Sequence, residues 1–169
     1  MTTSAASSVV IDGIVYTQVD VRDEWLDYNG HVNVAYYLIA FEHGLEDLKC
    51  AYGLDEQYRA REKRSTVALE NHLTYQNEAM QGDSLRIESR VLATDGKRMH
   101  FCQAMYRDST LLATQEVISL SFDLAARRSS PFAPTLLANI QRMLEQSANL
   151  PKPSWIGRTI SLNSKRPTA

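Results

Sequence analysis

The sequence predicts an α+β fold in which one antiparallel sheet wraps around a long central helix. A helical stretch is predicted from about Val32 to Lys49, and its first three turns are apolar on nearly every face, which is typical of a buried helix. One β-rich segment precedes this stretch, and four more follow it with tight-turn residues between them. We therefore expect residues 1–169 to form a single domain with its core at about 14–125.

The elements follow in order along the chain. A first strand is predicted at Ile14–Val21, where β-branched residues are frequent, and a loop rich in Asp, Asn and Gly leads from it to the helix. The later strands are predicted at Thr66–Tyr75, Ser84–Leu92, Arg98–Arg107 and Leu112–Asp123. An amphipathic helix is predicted at about 134–148. Residues 1–10 and 163–169 are expected to be loose ends.

The composition excludes several classes of protein. A net charge of -2 with 22% charged residues lacks the basic footprint of a nucleic-acid binder. No apolar run approaches the roughly 20 residues that a membrane helix needs. The N-terminus lacks the basic and apolar regions of a signal peptide, so we expect a cytoplasmic protein. The two cysteines, Cys50 and Cys102, are expected to be buried reduced thiols.

The loop that leads into the long helix carries the candidate chemistry. It reads W-L-D-Y-N-G-H-V-N-V-A-Y-Y over residues 25–37. This motif, with Leu73-Thr74-Tyr75 and the Gly82-Asp83 turn, resembles the 4-hydroxybenzoyl-CoA thioesterase-like hotdog family over roughly residues 14–125. The resemblance implies a hotdog fold and hydrolysis of a small acyl-CoA. It also implies that Asp27 attacks the thioester or activates water, and that backbone amides near Asn33 and Val34 polarise the carbonyl.

Physical chemistry agrees with these implied roles. A thioester carbonyl gains negative charge during attack, and a helix N-terminus offers unpaired N–H donors and the positive end of the helix dipole. Gly30 allows a tight turn close to the acyl group. Asp27 could instead be a simple capping residue, and His31 could act as an acid/base group or only hold the loop. Whether Asp27 is a nucleophile or a general base stays open.

Other residues are assigned provisional roles. The predicted substrate-binding residues are Trp25, Tyr28, Asn29, Gly30 and Tyr36. Asn29 and Asn33 are also good helix caps. Glu42 is expected to be a buried, paired carboxylate, while Glu70 and His72 are candidates to reach across a dimer interface.

The coenzyme and acyl groups suggest further contacts. The phosphates of coenzyme A need cations, for which Lys97-Arg98 is the first candidate and Arg127-Arg128 the second. The aromatic loop is similar to that of betainyl-CoA thioesterases of carnitine breakdown, where an aromatic cage would hold a quaternary ammonium group. An aromatic or short-chain acyl group is the alternative. No metal and no separate cofactor are expected, because no His/Cys/Asp cluster has ligand spacing.

An open sheet edge predicts association of like chains, either a homodimer or a homotetramer. Two other functions compete with hydrolysis. A hotdog hydratase or dehydratase is disfavoured because His31 follows Asp27 by four residues instead of five and Gly30 replaces a proline. A non-catalytic acyl-CoA-binding protein on the same scaffold is the second alternative.

Overall fold

The computed structural model describes residues 8–162, and its elements follow the predicted order closely. The strands are β1 (Val9–Ile11), β2 (Ile14–Asp20), β3 (Arg64–Tyr75), β4 (Ser84–Thr94), β5 (Arg98–Arg107), β6 (Thr110–Asp123) and β7 (Arg128–Ser129). The helices are α1 (Val34–Tyr52), α2 (Glu56–Glu62) and α3 (Pro134–Gln146), with a short 3-10 turn at Asp23–Trp25. The expectation of a loose start to the chain is wrong for residues 9 and 10, which pair with β2. The other expected loose ends, 1–7 and 163–169, lie outside the described residues.

All strands belong to one antiparallel sheet in the order β1-β2-β4-β5-β6-β3, with β7 beside the end of β6. The β3 strand lies at one end of this order and pairs only with β6 within the described chain. Its register with β6 shifts between Ala68 and Glu70, so Leu69 forms a bulge. The far edge of β3 is therefore a row of backbone groups available for pairing.

The long helix α1 crosses one face of this sheet. Asn33 caps its start, and Gly53 ends it with a left-handed φ of 97°. Gly44 faces the sheet so closely that a Cβ there would lie 2.6 Å from Ile87 Cγ2. A buried amide, Gln103 Nε2, donates to the Phe41 carbonyl at 3.1 Å. The helix is thus held to the sheet by close backbone approach as well as by apolar packing.

The sheet does not enclose α1 on all sides, contrary to the prediction of a helix buried all round. Val34, Leu38 and Ile39 remain 57%, 39% and 44% exposed. The apolar residues of the first turns outnumber the positions that can face the sheet. An apolar stripe is therefore left on the outer side of the helix in a single protomer.

The last helix, α3, packs at the C-terminal end of α1. Ile140 is completely buried in the same cluster as Leu48 and Tyr52. The side-chain amide of Asn139 donates to the Tyr52 carbonyl at 3.1 Å, which satisfies one of the last carbonyls of α1. Burial raises the pKa of the Tyr52 hydroxyl. The helix was predicted, but the core extends beyond the predicted 14–125, because Leu136, Ile140 and Met143 belong to it.

The face of the sheet opposite α1 is crossed by the segment after α3. Arg90 donates to the carbonyls of Ser147, Leu150 and Pro151 at 2.8–3.0 Å. Trp155 packs against Cys102, which is 3% exposed. Cys102 is thus a buried free thiol as expected, but the same expectation is wrong for Cys50, which lies on the exposed side of α1.

No helix in residues 8–162 is long and apolar enough to cross a membrane.

Candidate active site

The loop before α1 is a tight turn closed by backbone pairing. Leu26 and Val32 form an isolated antiparallel bridge. Within it, the Asp27 amide donates to the His31 carbonyl at 2.8 Å and the Gly30 amide donates to the Asp27 carbonyl at 3.0 Å. Gly30 has a φ of 78°, a conformation that favours glycine. A glycine was predicted to be required at this turn, and the left-handed backbone conformation of Gly30 agrees with that prediction.

The Asp27 side chain is half-buried and oriented by this turn. Its Oδ1 atom accepts from the Asn29 amide at 2.8 Å and from the His31 amide at 3.3 Å. Within residues 8–162, no hydrogen bond reaches Oδ2 and no cation pairs with the carboxylate. One oxygen of Asp27 thus holds the loop, while the other is available for chemistry.

The start of α1 has one amide without a partner in the described chain. The Asn33 amide donates to the Trp25 carbonyl at 2.8 Å, and the Ala35 amide donates to the Asn33 side chain at 3.1 Å. The Val34 amide, between them, has no acceptor among residues 8–162. Of the two amides predicted to polarise a carbonyl, only that of Val34 is unpaired.

His31 is held beside the segment that follows β3. It forms a bridge with Met80, and its Nδ1 lies 3.5 Å from Glu78 Oε1. The Val32 amide donates to the Ala79 carbonyl at 2.9 Å, which fixes the same two segments together. Glu78 was not identified from the sequence, because only the fold brings it beside a loop 47 positions earlier. The imidazole of His31 therefore contacts Glu78, while the His31 backbone contacts Asp27.

The aromatic residues of the motif are not gathered into one cage in the protomer. Trp25 is buried and stacks on Tyr36 with ring centroids 5.9 Å apart. Tyr37 packs edge-on against Tyr75 at 5.2 Å, and its hydroxyl accepts from the Ala79 amide at 2.8 Å. The Tyr28 side chain is 97% exposed. Trp25 and Tyr36 thus stabilise the loop, and Tyr28 is the ring that projects from it.

The predicted phosphate-binding pair, Lys97 and Arg98, lies at the other end of the sheet from the Asp27 loop. The β4 strand begins at Ser84, which pairs with the end of β2 just before the loop, and it ends near the Asp95-Gly96 turn. The guanidinium of Arg98 lies 2.7 Å from Asp95. Hydrogen bonds from the backbone and side chain of Arg98 lower the pKa of Asp95 to about 2. The charge of Arg98 is therefore largely compensated within its own hairpin.

Three further predictions concern the side chains of Glu42, Glu70 and His72. Glu42 is exposed on α1 and has no ion pair within residues 8–162, so the expectation of a buried, paired carboxylate is wrong. Glu70 and His72 lie opposite Ile118 and Glu116 of β6, on the face of the sheet that does not carry α1. That face is turned away from the Asp27 loop.

The fold and the loop define a hotdog protein with a carboxylate turn at the start of its central helix. The model of the thioesterase-like superfamily matches residues 21–140, and the chain belongs to this family. It is 35% identical to the betainyl-CoA thioesterase of Pseudomonas aeruginosa PAO1, over 86% of this chain and 92% of that protein. It is 33% identical to an L-carnitine dehydrogenase/betainyl-CoA thioesterase of Ruegeria pomeroyi, over 81% of this chain but only 28% of that longer protein.

Solved structures agree on the architecture. A hypothetical protein of Staphylococcus aureus, solved in complex with CoA, superimposes with a TM-score of 0.84 at 25% identity, over 92% of this chain and 99% of that chain. A 1,4-dihydroxy-2-naphthoyl-CoA thioesterase of Synechocystis has a TM-score of 0.67 at 15% identity, over 76% of this chain and 96% of that chain. The second likeness concerns the fold alone.

Proposed function

We propose that this chain hydrolyses a small acyl-CoA to a free acid and CoA, with Asp27 as the catalytic carboxylate and betainyl-CoA as the substrate. One observation carries the catalytic assignment. A carboxylate with one free oxygen and an unpaired helix amide belong to the same short segment, residues 27–34. The Val34 amide is open because the first N–H groups of a helix have no intrahelical partner, and such a donor suits an oxygen that gains negative charge.

In the proposed reaction, the helix amide stabilises the developing charge and the carboxylate starts the attack. The Val34 amide donates to the thioester oxygen, on which negative charge develops during attack. Asp27 either attacks the carbonyl carbon to form a mixed anhydride that water then hydrolyses, or removes a proton from a water that attacks directly. In both routes the C–S bond breaks, the sulfur leaves as the thiol of CoA after protonation, and water supplies the oxygen of the acid. His31 acts as a positioning residue for the loop in this proposal.

The proposal includes a second copy of the chain. The exposed stripe of Val34, Leu38 and Ile39 lies at the same end of α1 as the Asp27 loop, and the free edge of β3 carries Leu69, which is 55% exposed. Apolar surface beside an unpaired strand edge favours association with another sheet. A two-fold homodimer that joins the β3 edges would extend the sheet and cover the stripe, and a homotetramer could be built from two such pairs.

The betainyl group is proposed mainly on the names of the relatives, and one exposed aromatic ring of the loop is compatible with a cationic acyl group. Both curated relatives are named for betainyl-CoA thioesterase activity. A quaternary ammonium group is bound by aromatic faces, and Tyr28 projects an uncovered ring from the loop that carries Asp27. A role in carnitine breakdown and a cytoplasmic location belong to the same proposal.

A thiol-release screen of the purified protein tests this function. The panel contains betainyl-CoA, short-chain acyl-CoAs, an aromatic acyl-CoA and crotonyl-CoA. We expect the highest kcat/KM on betainyl-CoA, with turnover that is unchanged by a chelator. Loss of the crotonyl double bond without thiol release would favour a hydratase. Binding of CoA without thiol release from any thioester would overturn the assignment as an enzyme.

A further inference from the structure

A second carboxylate, that of Glu78, lies beside the Asp27 loop of the same protomer. His31 forms a bridge with Met80, which holds the segment after β3 against the loop. This arrangement places Glu78 Oε1 3.5 Å from His31 Nδ1. The His31 amide in turn donates to Asp27 Oδ1 at 3.3 Å. One residue, His31, therefore contacts both Glu78 and the proposed catalytic carboxylate.

Two tyrosine rings connect the Glu78 segment to the open amide at the start of α1. The Ala79 amide, next to Glu78 in the chain, donates to the Tyr37 hydroxyl at 2.8 Å. The Tyr75 ring packs edge-on against Tyr37 at 5.2 Å, and the Tyr75 hydroxyl donates to the Val34 carbonyl at 3.4 Å. Tyr75 is 45% exposed. An acyl group whose oxygen accepts from the Val34 amide would thus lie close to an accessible aromatic ring.

The negative charge of Glu78 acts on this part of the site. The pKa of the Tyr37 hydroxyl is raised, chiefly by burial and further by the charge of Glu78. The Glu78 side chain itself is 69% exposed, so a ligand can reach its carboxylate. The start of α1 is therefore flanked by aromatic rings and by an accessible anion.

The nearest strong cation does not neutralise Glu78. The Arg107 guanidinium donates to the Glu78 carbonyl at 3.3 Å, but its ion pair is with Asp83 at 2.8 Å. Among residues 8–162, the carboxylate of Glu78 has one ion-pair partner, the imidazole of His31, which carries charge only when it is protonated. Glu78 thus keeps negative charge that a ligand can use.

The chemistry of this wall suits a positively charged acyl group. A quaternary ammonium group has no N–H to donate, so a protein holds it through aromatic faces and negative charge. In betainyl-CoA this group is attached to the carbon next to the thioester carbonyl, which keeps the positive charge close to the start of α1. We propose that Glu78 is a specificity-determining residue, which selects acyl-CoA substrates with a positive charge next to the thioester. This inference rests on the proposed function of the Asp27 site.

Two thioesters of the same shape isolate the effect of charge. In 3,3-dimethylbutyryl-CoA a carbon atom replaces the ammonium nitrogen of betainyl-CoA, so the acyl group keeps its shape and loses its charge. The measured quantity is the ratio of kcat/KM for betainyl-CoA to kcat/KM for the neutral analogue. Glu78→Gln should lower this ratio by roughly tenfold, because a negative charge near the cation is lost while side-chain size is kept. Glu78→Lys should lower it further, by roughly 100-fold.

The ratio separates selection of charge from support of His31. A substitution at Glu78 that only disturbed the His31 imidazole would slow both thioesters alike and leave the ratio unchanged. A wild-type ratio in either Glu78 variant would therefore overturn the inference, even if turnover fell. If the wild type releases thiol from neither thioester, it is the proposed function that fails.

Glu24→Gln is the matched control for general electrostatic attraction. Glu24 lies in the 3-10 turn that precedes the Asp27 loop, and it is 3.8 Å from Arg22. Its substitution removes the same charge from the approach to the loop, but not from the wall beside α1. The ratio should stay within about twofold of the wild type. An equal fall of the ratio in Glu24→Gln and Glu78→Gln would mean that net charge alone attracts the cation, and would refute a specific role for Glu78.

Discussion

The two halves of α1 differ in what they present to solvent. In the N-terminal half, Val34–Phe41, the outward positions are apolar, and Leu38 and Ile39 remain well exposed. In the C-terminal half, 42–52, the outward positions include Glu42 and His43, while Leu48 and Tyr52 are fully buried. The second half is thus complete within one protomer, and the first half is not.

The difference indicates where a second protomer belongs. The C-terminal half is an ordinary amphipathic helix whose apolar side is covered by the sheet and by α3. The N-terminal half carries apolar side chains on both its covered and its uncovered sides, and it begins at the Asp27 loop. The half that lacks cover is therefore the half that carries the proposed chemistry.

A charged substitution in the N-terminal half of α1 should have the largest effect, on both assembly and turnover. Leu38→Asp would place a carboxylate in the proposed interface, where an unpaired buried charge costs several kcal/mol. We expect a monomer in analytical ultracentrifugation and a loss of turnover by roughly 100-fold or more. Ala138→Asp, which adds the same charge to the exposed side of α3, is the control and should stay dimeric and active. A monomeric but fully active Leu38→Asp variant would refute the dimer-dependent site.

A truncation in α3, which covers the C-terminal half of α1, should lower stability instead. Ile140→Ala removes a completely buried side chain from the cluster of α3 with Leu48 and Tyr52, and should cost about 2–5 kcal/mol in the free energy of unfolding. Urea denaturation measures this loss, and the folded variant should retain its kcat. The matching Leu38→Ala should cost less than about 1 kcal/mol at protein concentrations where the chain is monomeric. Equal losses for the two variants would remove the distinction between the halves.

The close approach of α1 to the sheet depends on Gly44, in the first turn of the C-terminal half. A Cβ at this position would lie 2.6 Å from Ile87 Cγ2 and 2.8 Å from Gln103 Nε2. Gly44→Ala should therefore destabilise the fold by about 1–3 kcal/mol, although alanine is the better helix former. Thermal unfolding measures the effect, and an unchanged or higher Tm would mean that the helix can move away from the sheet without cost.

The smallest expected effect concerns the two cysteines, which should differ only in their reactivity toward a thiol reagent. Burial raises the pKa of the Cys102 thiol to about 12, whereas Cys50 is exposed on α1 and its pKa is raised less, by partial burial and by Glu46. An aromatic disulfide reagent at mildly alkaline pH should modify Cys50 alone in the native protein and both thiols in denaturant. The variant Cys50→Ser should not react until it unfolds. Rapid native modification of Cys102 would mean that the segment around Trp155 opens readily.

The sequence predicted the helices and strands better than it predicted which parts of the molecule cover them. The alternation in Ser84–Leu92 and the turn residues beside it predicted a strand and a hairpin, and the structure has the strand at Ser84–Thr94, because these signals are local. The apolar character of α1 predicted a helix in need of cover, yet periodicity cannot distinguish cover by the sheet from cover by another copy. The short α2 lacks a strong apolar pattern, and it was not predicted.

In the candidate site, too, the local features were predictable and the contacts between distant segments were not. The identity of Asp27 and the tight turn at Gly30 follow from the residues themselves. The pairing of the Asn33 amide with Trp25 and the contact of His31 with Glu78 depend on how distant segments meet. The sequence could therefore nominate the carboxylate, but not which helix amide remains open.

The most direct test of the account is the turnover of Asp27→Asn on the best substrate of the thiol-release screen. Asparagine keeps an oxygen that can accept from the Asn29 and His31 amides, so the turn, the Tm and the dimer should be preserved. Only the negative charge and its free oxygen are removed. We predict that kcat falls by roughly 1000-fold or more. A folded Asp27→Asn dimer whose kcat stays within about tenfold of the wild type would contradict the role of Asp27 as the catalytic carboxylate.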